Sequence, residues 1–124
     1  MVLEKDAQKW SEDFFRLVDL GDADGIAERV TEDASLTSGN GEPVVGREAI
    51  RATIKQFRAT ITSLHHDIVR AWSVPEGVIA ELKVAYVRLD GGALTLPCTN
   101  IFHIDDAGLV SDYKIYMDMA PVYA

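Results

Sequence analysis

At 124 residues with 48% hydrophobic content, the chain carries enough apolar material for one core and is expected to fold as a single domain over 1–124. Acidic residues outnumber basic ones by 20 to 12, and the resulting net charge of -8 argues against nucleic acid and anionic membrane surfaces as partners. One cysteine, Cys98, excludes an internal disulfide and a thiolate metal cluster.

The N-terminus is charged and amphipathic, without the apolar run of a signal peptide. No apolar stretch approaches the roughly 20 residues that span a bilayer. A cytoplasmic location is therefore expected. Residues 3–20 read as a helix, because Leu3, Ala7, Trp10, Phe14 and Leu17 recur at helical steps and form one apolar stripe. Trp10 and Phe14 either fill the core or, if this helix lids a cavity, also face a ligand. Gly21 suits a left-handed cap. A shorter helix is predicted over 22–32, with Asp22 or Asp24 as N-cap and Ile26 and Val30 on its buried side.

A short strand over Ala34–Thr37 and a loop at Ser38-Gly39-Asn40-Gly41 lead through Pro43-Val44-Val45-Gly46 to a third helix, about Arg47 to Thr62. Ile50, Ile54, Phe57 and Ile61 form its apolar side, and Arg47, Arg51, Lys55 and Arg58 form a basic row read as a solvated face. The period then changes to two. Strands are expected over Leu64–Ser73 and Val78–Leu89, separated by a Pro75–Gly77 turn, and then over a final hairpin from Leu96 to Asp118. Three helices followed by antiparallel strands predict an α+β domain, with the helices on one face of a curved sheet.

Asp106-Ala107-Gly108 suits a three-residue hairpin loop that pairs Asp105 with Leu109. Counting outward places His103 opposite Ser111, Ile101 opposite Tyr113, Thr99 opposite Ile115 and Pro97 opposite Met117, all on one face. Cys98, Asn100, Phe102, Asp112, Lys114, Tyr116 and Asp118 fall on the other. A slip of one residue exchanges the faces.

Asp19-Leu20-Gly21-Asp22, Glu32-Asp33-Ala34, the run from Glu42 to Ile50 (EPVVGREAI), His66, Leu96-Pro97, Phe102, Gly108 and Tyr116-Met117-Asp118 follow one another along the chain. In this order they resemble the SnoaL-like branch of the nuclear-transport-factor-2-like superfamily. The resemblance implies a cone-shaped pocket between sheet and helices, and a homodimer through the outer sheet face. The same cone hosts isomerases, dehydratases, cyclases, epoxide hydrolases and non-enzymes. EPVVGREAI and the LP…F…D ending also resemble limonene-epoxide-hydrolase-like proteins, which use an Asp-Arg-Asp set with a Tyr and an Asn. Here the Arg and first Asp fall on Lys83 and Ala85, the second Asp on Ile115, and the Tyr and Asn on Leu36 and Ser38. No carboxylate remains to activate water, so that mechanism is rejected. Steroid-isomerase-like chemistry also needs an inward carboxylate, whereas Asp112 and Asp118 face outward in this register. SnoaL-type cyclases pair an inward Asp with a His; His103 is a candidate for the His, but Met117 stands where the Asp is expected.

The predicted pocket is therefore lined by Trp10, Phe14, Leu36, Lys83, Thr99, Ile101, His103, Tyr113, Ile115 and Met117. His103 and Tyr113 are the catalytic candidates, since an imidazole exchanges protons near neutral pH and a phenol donates to a developing enolate. The alternative is that His103 merely bonds backbone or water. One of His65 and His66 must face inward, and no third ligand stands at metal-site spacing, so neither metal nor cofactor is expected. Leu96, Cys98, Phe102 and Tyr116 form the apolar stripe assigned to the dimer. Two function classes remain: a cofactor-free isomerase, cyclase or dehydratase acting on a small apolar carbonyl compound, and a non-catalytic ligand-binding or assembly module.

Overall fold

In a computed structural model of the chain, residues 4–124 are described; Leu3, the first residue of the predicted stripe, lies outside them. The elements run α1 (Glu4–Leu20), α2 (Ala23–Ala27), β1 (Val30–Ser38), β2 (Val44–Val45), α3 (Arg47–Arg58), β3 (Ile61–Val74), β4 (Gly77–Arg88), β5 (Ala93–Ile104), β6 (Val110–Tyr116) and α4 (Ala120–Tyr123). One open, curved six-stranded sheet has the order β2-β1-β6-β5-β4-β3, and the helices pack on one side of it. All neighbouring strands are antiparallel except β1 and β6. Their parallel pairing ties the helical half of the chain to the final hairpin.

The helix α1 ends as its glycine requires. Gly21 adopts φ 70° and donates to the carbonyl of Val18, while Asp22 donates to that of Leu17, which satisfies two terminal carbonyls. The next helix is shorter than predicted. Asp22 caps it through the amide of Gly25, but Val30 has already entered β1, opposite Val110 of β6. A β-branched residue gains more in that sheet than at the end of a two-turn helix. Likewise α3 stops at Arg58, and Ile61 begins β3 rather than extending the helical stripe. The basic row of α3 is only partly solvated. Arg47 bonds the carbonyl of Val30, Arg51 pairs with Asp24 and Glu48, and Arg58 reaches the carbonyl of Thr62.

Aromatic rings join α1 to the sheet. Phe14 stacks on Trp10 at 5.2 Å and meets Phe102 edge-on at 5.0 Å, and Phe102 lies 4.6 Å from Tyr113. Phe14 and Phe102 are fully buried. Gly77 opens β4 where only glycine fits: its φ is 156°, and a Cβ there would stand 2.0 Å from the carbonyl oxygen of Phe102.

The final hairpin turns as expected, with Asp105 donating to Leu109, Gly108 donating to Asp105, and Gly108 at φ 85°. Two residues later the register departs from the prediction. Ile104 pairs with Val110, but His103 pairs with Asp112, leaving Ser111 as the extra residue of a β-bulge. Every pair beyond it is displaced by one: Phe102 faces Tyr113, Asn100 faces Ile115 and Thr99 faces Tyr116. The predicted faces are therefore right for β6 and reversed for β5.

Candidate functional site

A cavity of about 330 Å³ lies between the inner face of the sheet and the helices. Val18 and Gly21 at the end of α1, Ile26 of α2, and Thr53, Ile54, Phe57 and Arg58 of α3 form its helical wall. The sheet contributes Leu36 and Ser38 from β1, Leu64 and His66 from β3, Tyr86 from β4, Cys98 and Asn100 from β5, and Tyr113 and Ile115 from β6. Met117, Met119 and Tyr123 close the C-terminal end. The wall is largely apolar, with a few polar groups placed at fixed points, as in small-molecule sites generally.

The polar groups that the central strands place inside are uncharged side chains, while the charged Arg58 belongs to the helical wall. Asn100 is 1% exposed, and its amide donates to the hydroxyl of Tyr113 at 3.4 Å. The Cys98 thiol donates to the Asn100 carbonyl at 3.2 Å. Tyr86 directs its hydroxyl at the soft sulfur of Met117, 3.3 Å away. Burial pushes the Cys98 thiol up to about 12 and raises both Tyr86 and Tyr113, so all three remain neutral at physiological pH. A neutral phenol is a donor. The Tyr113 hydroxyl accepts from Asn100, and its own hydrogen meets no acceptor among the described residues.

At the β3 wall a carboxylate stands behind a histidine. Asp19, near the end of α1, accepts from the Nδ1 of His66 at 2.6 Å and from the backbone amide of His66 at 3.1 Å. The His66 ring stacks on Phe15 at 4.6 Å, and its side chain is 7% exposed. Of the two adjacent histidines it is His66 that lines the cavity; His65 is exposed.

The predicted lining residues divide by strand. Leu36, Tyr113, Ile115 and Met117 line the cavity. Trp10 and Phe14 belong to the aromatic core beside it and are not among its lining residues. Thr99, Ile101 and His103 lie on the outer face of β5, because the Ser111 bulge displaces their register by one. His103 is exposed there, paired with Asp112, and cannot act inside the cavity. Lys83, opposite Pro97 and Asp67, is exposed on the same outer face. The proposed dimer stripe is corrected by the same shift. Cys98 and Phe102 are buried on the inner face, Leu96 packs against the core, and only Tyr116, 53% exposed, remains outside.

Asp112 and Asp118 do face away from the cavity. Asp112 accepts from Ser35 at 2.9 Å and lies near Lys114, while Asp118 caps the amide of Ala120. Sequence reasoning missed Asn100 and Cys98 because it reversed β5, and it left His65 and His66 unresolved. The alternation of β3 carried the answer for the histidines, since Leu64, His66 and Ile68 share the parity of one face. Among the described residues, no group of three or more His, Cys, Asp or Glu side chains is arranged to hold a metal ion.

An open cone of helices on a curved sheet, with its cavity on the concave side, defines the architectural class. The SnoaL-like domain matches residues 11–113, and the chain belongs to that family. No curated protein matches it. A protein from Jannaschia sp. CCS1 described as a SnoaL-like polyketide cyclase is similar with TM-score 0.82 and 16% identity, covering 99% of this chain and 92% of its own. An LEH-like epoxide hydrolase of M. tuberculosis is similar with TM-score 0.78 and 15% identity, over 97% of this chain and 88% of its own. SalBIII, an epoxide hydrolase/cyclase-like enzyme in pyran ring formation in the polyether salinomycin, is similar with TM-score 0.79 and 17% identity, over 94% and 93%. At these identities the likeness is one of fold.

Proposed function

We propose that the cavity binds a small, largely apolar carbonyl compound and supports cofactor-free proton transfer of the isomerase, cyclase or dehydratase kind. The observation that carries this reading is the buried Asn100–Tyr113 pair. Its phenolic hydrogen has no acceptor among the described residues, inside a largely apolar wall that includes Leu36, Ile54, Leu64 and Ile115. A carbonyl oxygen placed there accepts from the phenol and gains negative charge as an adjacent C–H is ionised, in surroundings where such donors act strongly. Non-catalytic binding is the second reading, favoured by the outward placement of Asp112 and Asp118.

The test uses 2-tetralone, a small apolar ketone with acidic hydrogens beside its carbonyl. The wild-type protein is expected to bind it in calorimetry, and Tyr113→Phe to bind about tenfold more weakly, as loss of one buried hydrogen bond implies. Equal affinity for both proteins removes the carbonyl contact. Turnover separates the two readings, since a pure binder gains thermal stability from the ketone and leaves it unchanged.

The homodimer is proposed through a different set of residues from the one first expected. On the outer face Trp72, Ile79 and Ile101 stand side by side across β3, β4 and β5, with exposed Tyr116 near the end of β6. A twofold axis through this row would bury apolar side chains of both copies. Light scattering at micromolar concentration should report a dimer that Ile101→Glu dissociates, and a monomeric wild type excludes it.

A further inference from the structure

The cavity wall at β3 is thin, and one carboxylate bridges its two sides. On the inner side, Asp19 Oδ1 accepts from Nδ1 of His66. On the outer side, Asp19 Oδ2 stands 3.2 Å from Nδ1 of His65, whose side chain is 66% exposed. Nε2 of His65 in turn lies 3.1 Å from Asp67. The two sides correspond to two hollows. His66 borders both the internal cavity and a groove on the outside of the wall, which is also lined by Asp19, His65 and Asp67.

The bond to Asp19 decides the chemistry of the inner ring. A carboxylate accepts and does not donate, so Nδ1 of His66 carries the hydrogen, and in the neutral ring Nε2 then carries the lone pair. Nε2 has no hydrogen-bond partner among the described residues, and it is not among the sealed, unsatisfied polar atoms of the interior. The stacked Phe15 ring fixes the plane of the imidazole, and Asp19, itself held by the backbone amide of His66, favours the hydrogen on Nδ1.

We propose that His66 is the proton-transferring residue of the cavity and that Asp19 is its positioning residue. This rests on the reading of the cavity as a carbonyl-binding site. In the step, the C–H bond beside the carbonyl breaks, its proton bonds to Nε2 of His66, and the electron pair moves to the carbonyl oxygen at Tyr113 and Asn100. The enolate then recovers a proton from the same imidazole at the same or another carbon, so no co-reactant is consumed. Between the two transfers the hydrogen on Nε2 exchanges with water that enters the cavity, while Nδ1–H stays bonded to Asp19, whose carboxylate balances the charge of the imidazolium. A cavity without an inward carboxylate thereby gains a base, and the carboxylate that supports it enters from behind the sheet edge.

The experiment follows deuterium entry into 2-tetralone in heavy water by NMR, alongside calorimetric binding of the same ketone. His66→Gln is expected to bind the ketone as the wild type does and to lose about a hundredfold in exchange, the usual contribution of one acid-base group. Asp19→Asn, which preserves an acceptor for the backbone amide, should lose about tenfold. Exchange retained by His66→Gln overturns the assignment. A wild type that does not bind the ketone contradicts the carbonyl-site reading instead. The pair is then tested without ligand, through nitrogen shifts in histidine-labelled protein. These must show His66 as the Nδ1–H tautomer in the wild type and a mixture in Asp19→Asn, and the opposite tautomer in the wild type overturns the proposal.

Discussion

The two faces of the sheet solve different problems with the same strands. The inner face of β5 and β6 presents Cys98, Asn100, Phe102, Tyr113 and Ile115, all without charge and mostly buried. The outer face presents His103, Asp112 and Lys114 along with Ile101 and Tyr116, with Glu81 and Lys83 on the neighbouring strand. A charged group on the inner face would need a partner within an apolar hollow, and the chain avoids that cost by using phenols, an amide and one imidazole. The carboxylate of Asp19 bonds to the histidine from the far side. Function class thus cannot be judged from whether an acid points inward. A carboxylate behind the wall can do through His66 what an inward acid does directly.

Cysteine chemistry gives the largest contrast between the faces. With burial pushing Cys98 from 9.0 to about 12, its thiolate at pH 8 is roughly a thousandfold scarcer than that of an ordinary cysteine. Iodoacetamide should therefore leave Cys98 intact in the folded protein while rapidly modifying His103→Cys on the outer face, as read by intact mass. Comparable rates at both positions would break the comparison. The same shift sets a pH window. Below pH 9 the thiol is neutral in both folded and unfolded chains. As pH rises from 9.0 towards about 12, the unfolded chain loses its proton first, so stability falls. Burial of Tyr86 and Tyr113 acts in the same direction. The melting temperature should drop across this window, and less steeply in Cys98→Ala.

Neighbouring positions of β5 sharpen the contrast as stability. Phe102→Ala empties a site among Trp10, Phe14 and Tyr113 and should cost about 3–5 kcal/mol in urea denaturation. His103→Ala, one residue along and exposed, should change stability by about 0.5 kcal/mol or less. Similar costs would place the register in error.

Much of this was legible before the structure. Apolar spacing located α1 and α3, Gly21 and Gly108 marked the end of α1 and the turn of the final hairpin, and the order of the elements carried the α+β class with helices on one face of a curved sheet. The inner face of β6 followed from alternation. The face of β5 did not, because alternation was counted through Ser111, and nothing in Leu109-Val110-Ser111-Asp112 marks an inserted residue. A bulge is set by how the strand bends around its neighbours, here with Val110 also held by the carbonyl of Arg29 from the chain leading into β1. His66 could be placed inward by parity, but its partner could not be foreseen. Asp19 is 47 residues away and meets it only because α1 crosses the edge of β3.

The most direct measurement compares two histidines, one on each face. Deuterium entry into 2-tetralone should fall about a hundredfold in His66→Gln and remain at the wild-type rate in His103→Gln. An unchanged rate in His66→Gln, or a loss confined to His103→Gln, would contradict a proton-transfer site on the inner wall.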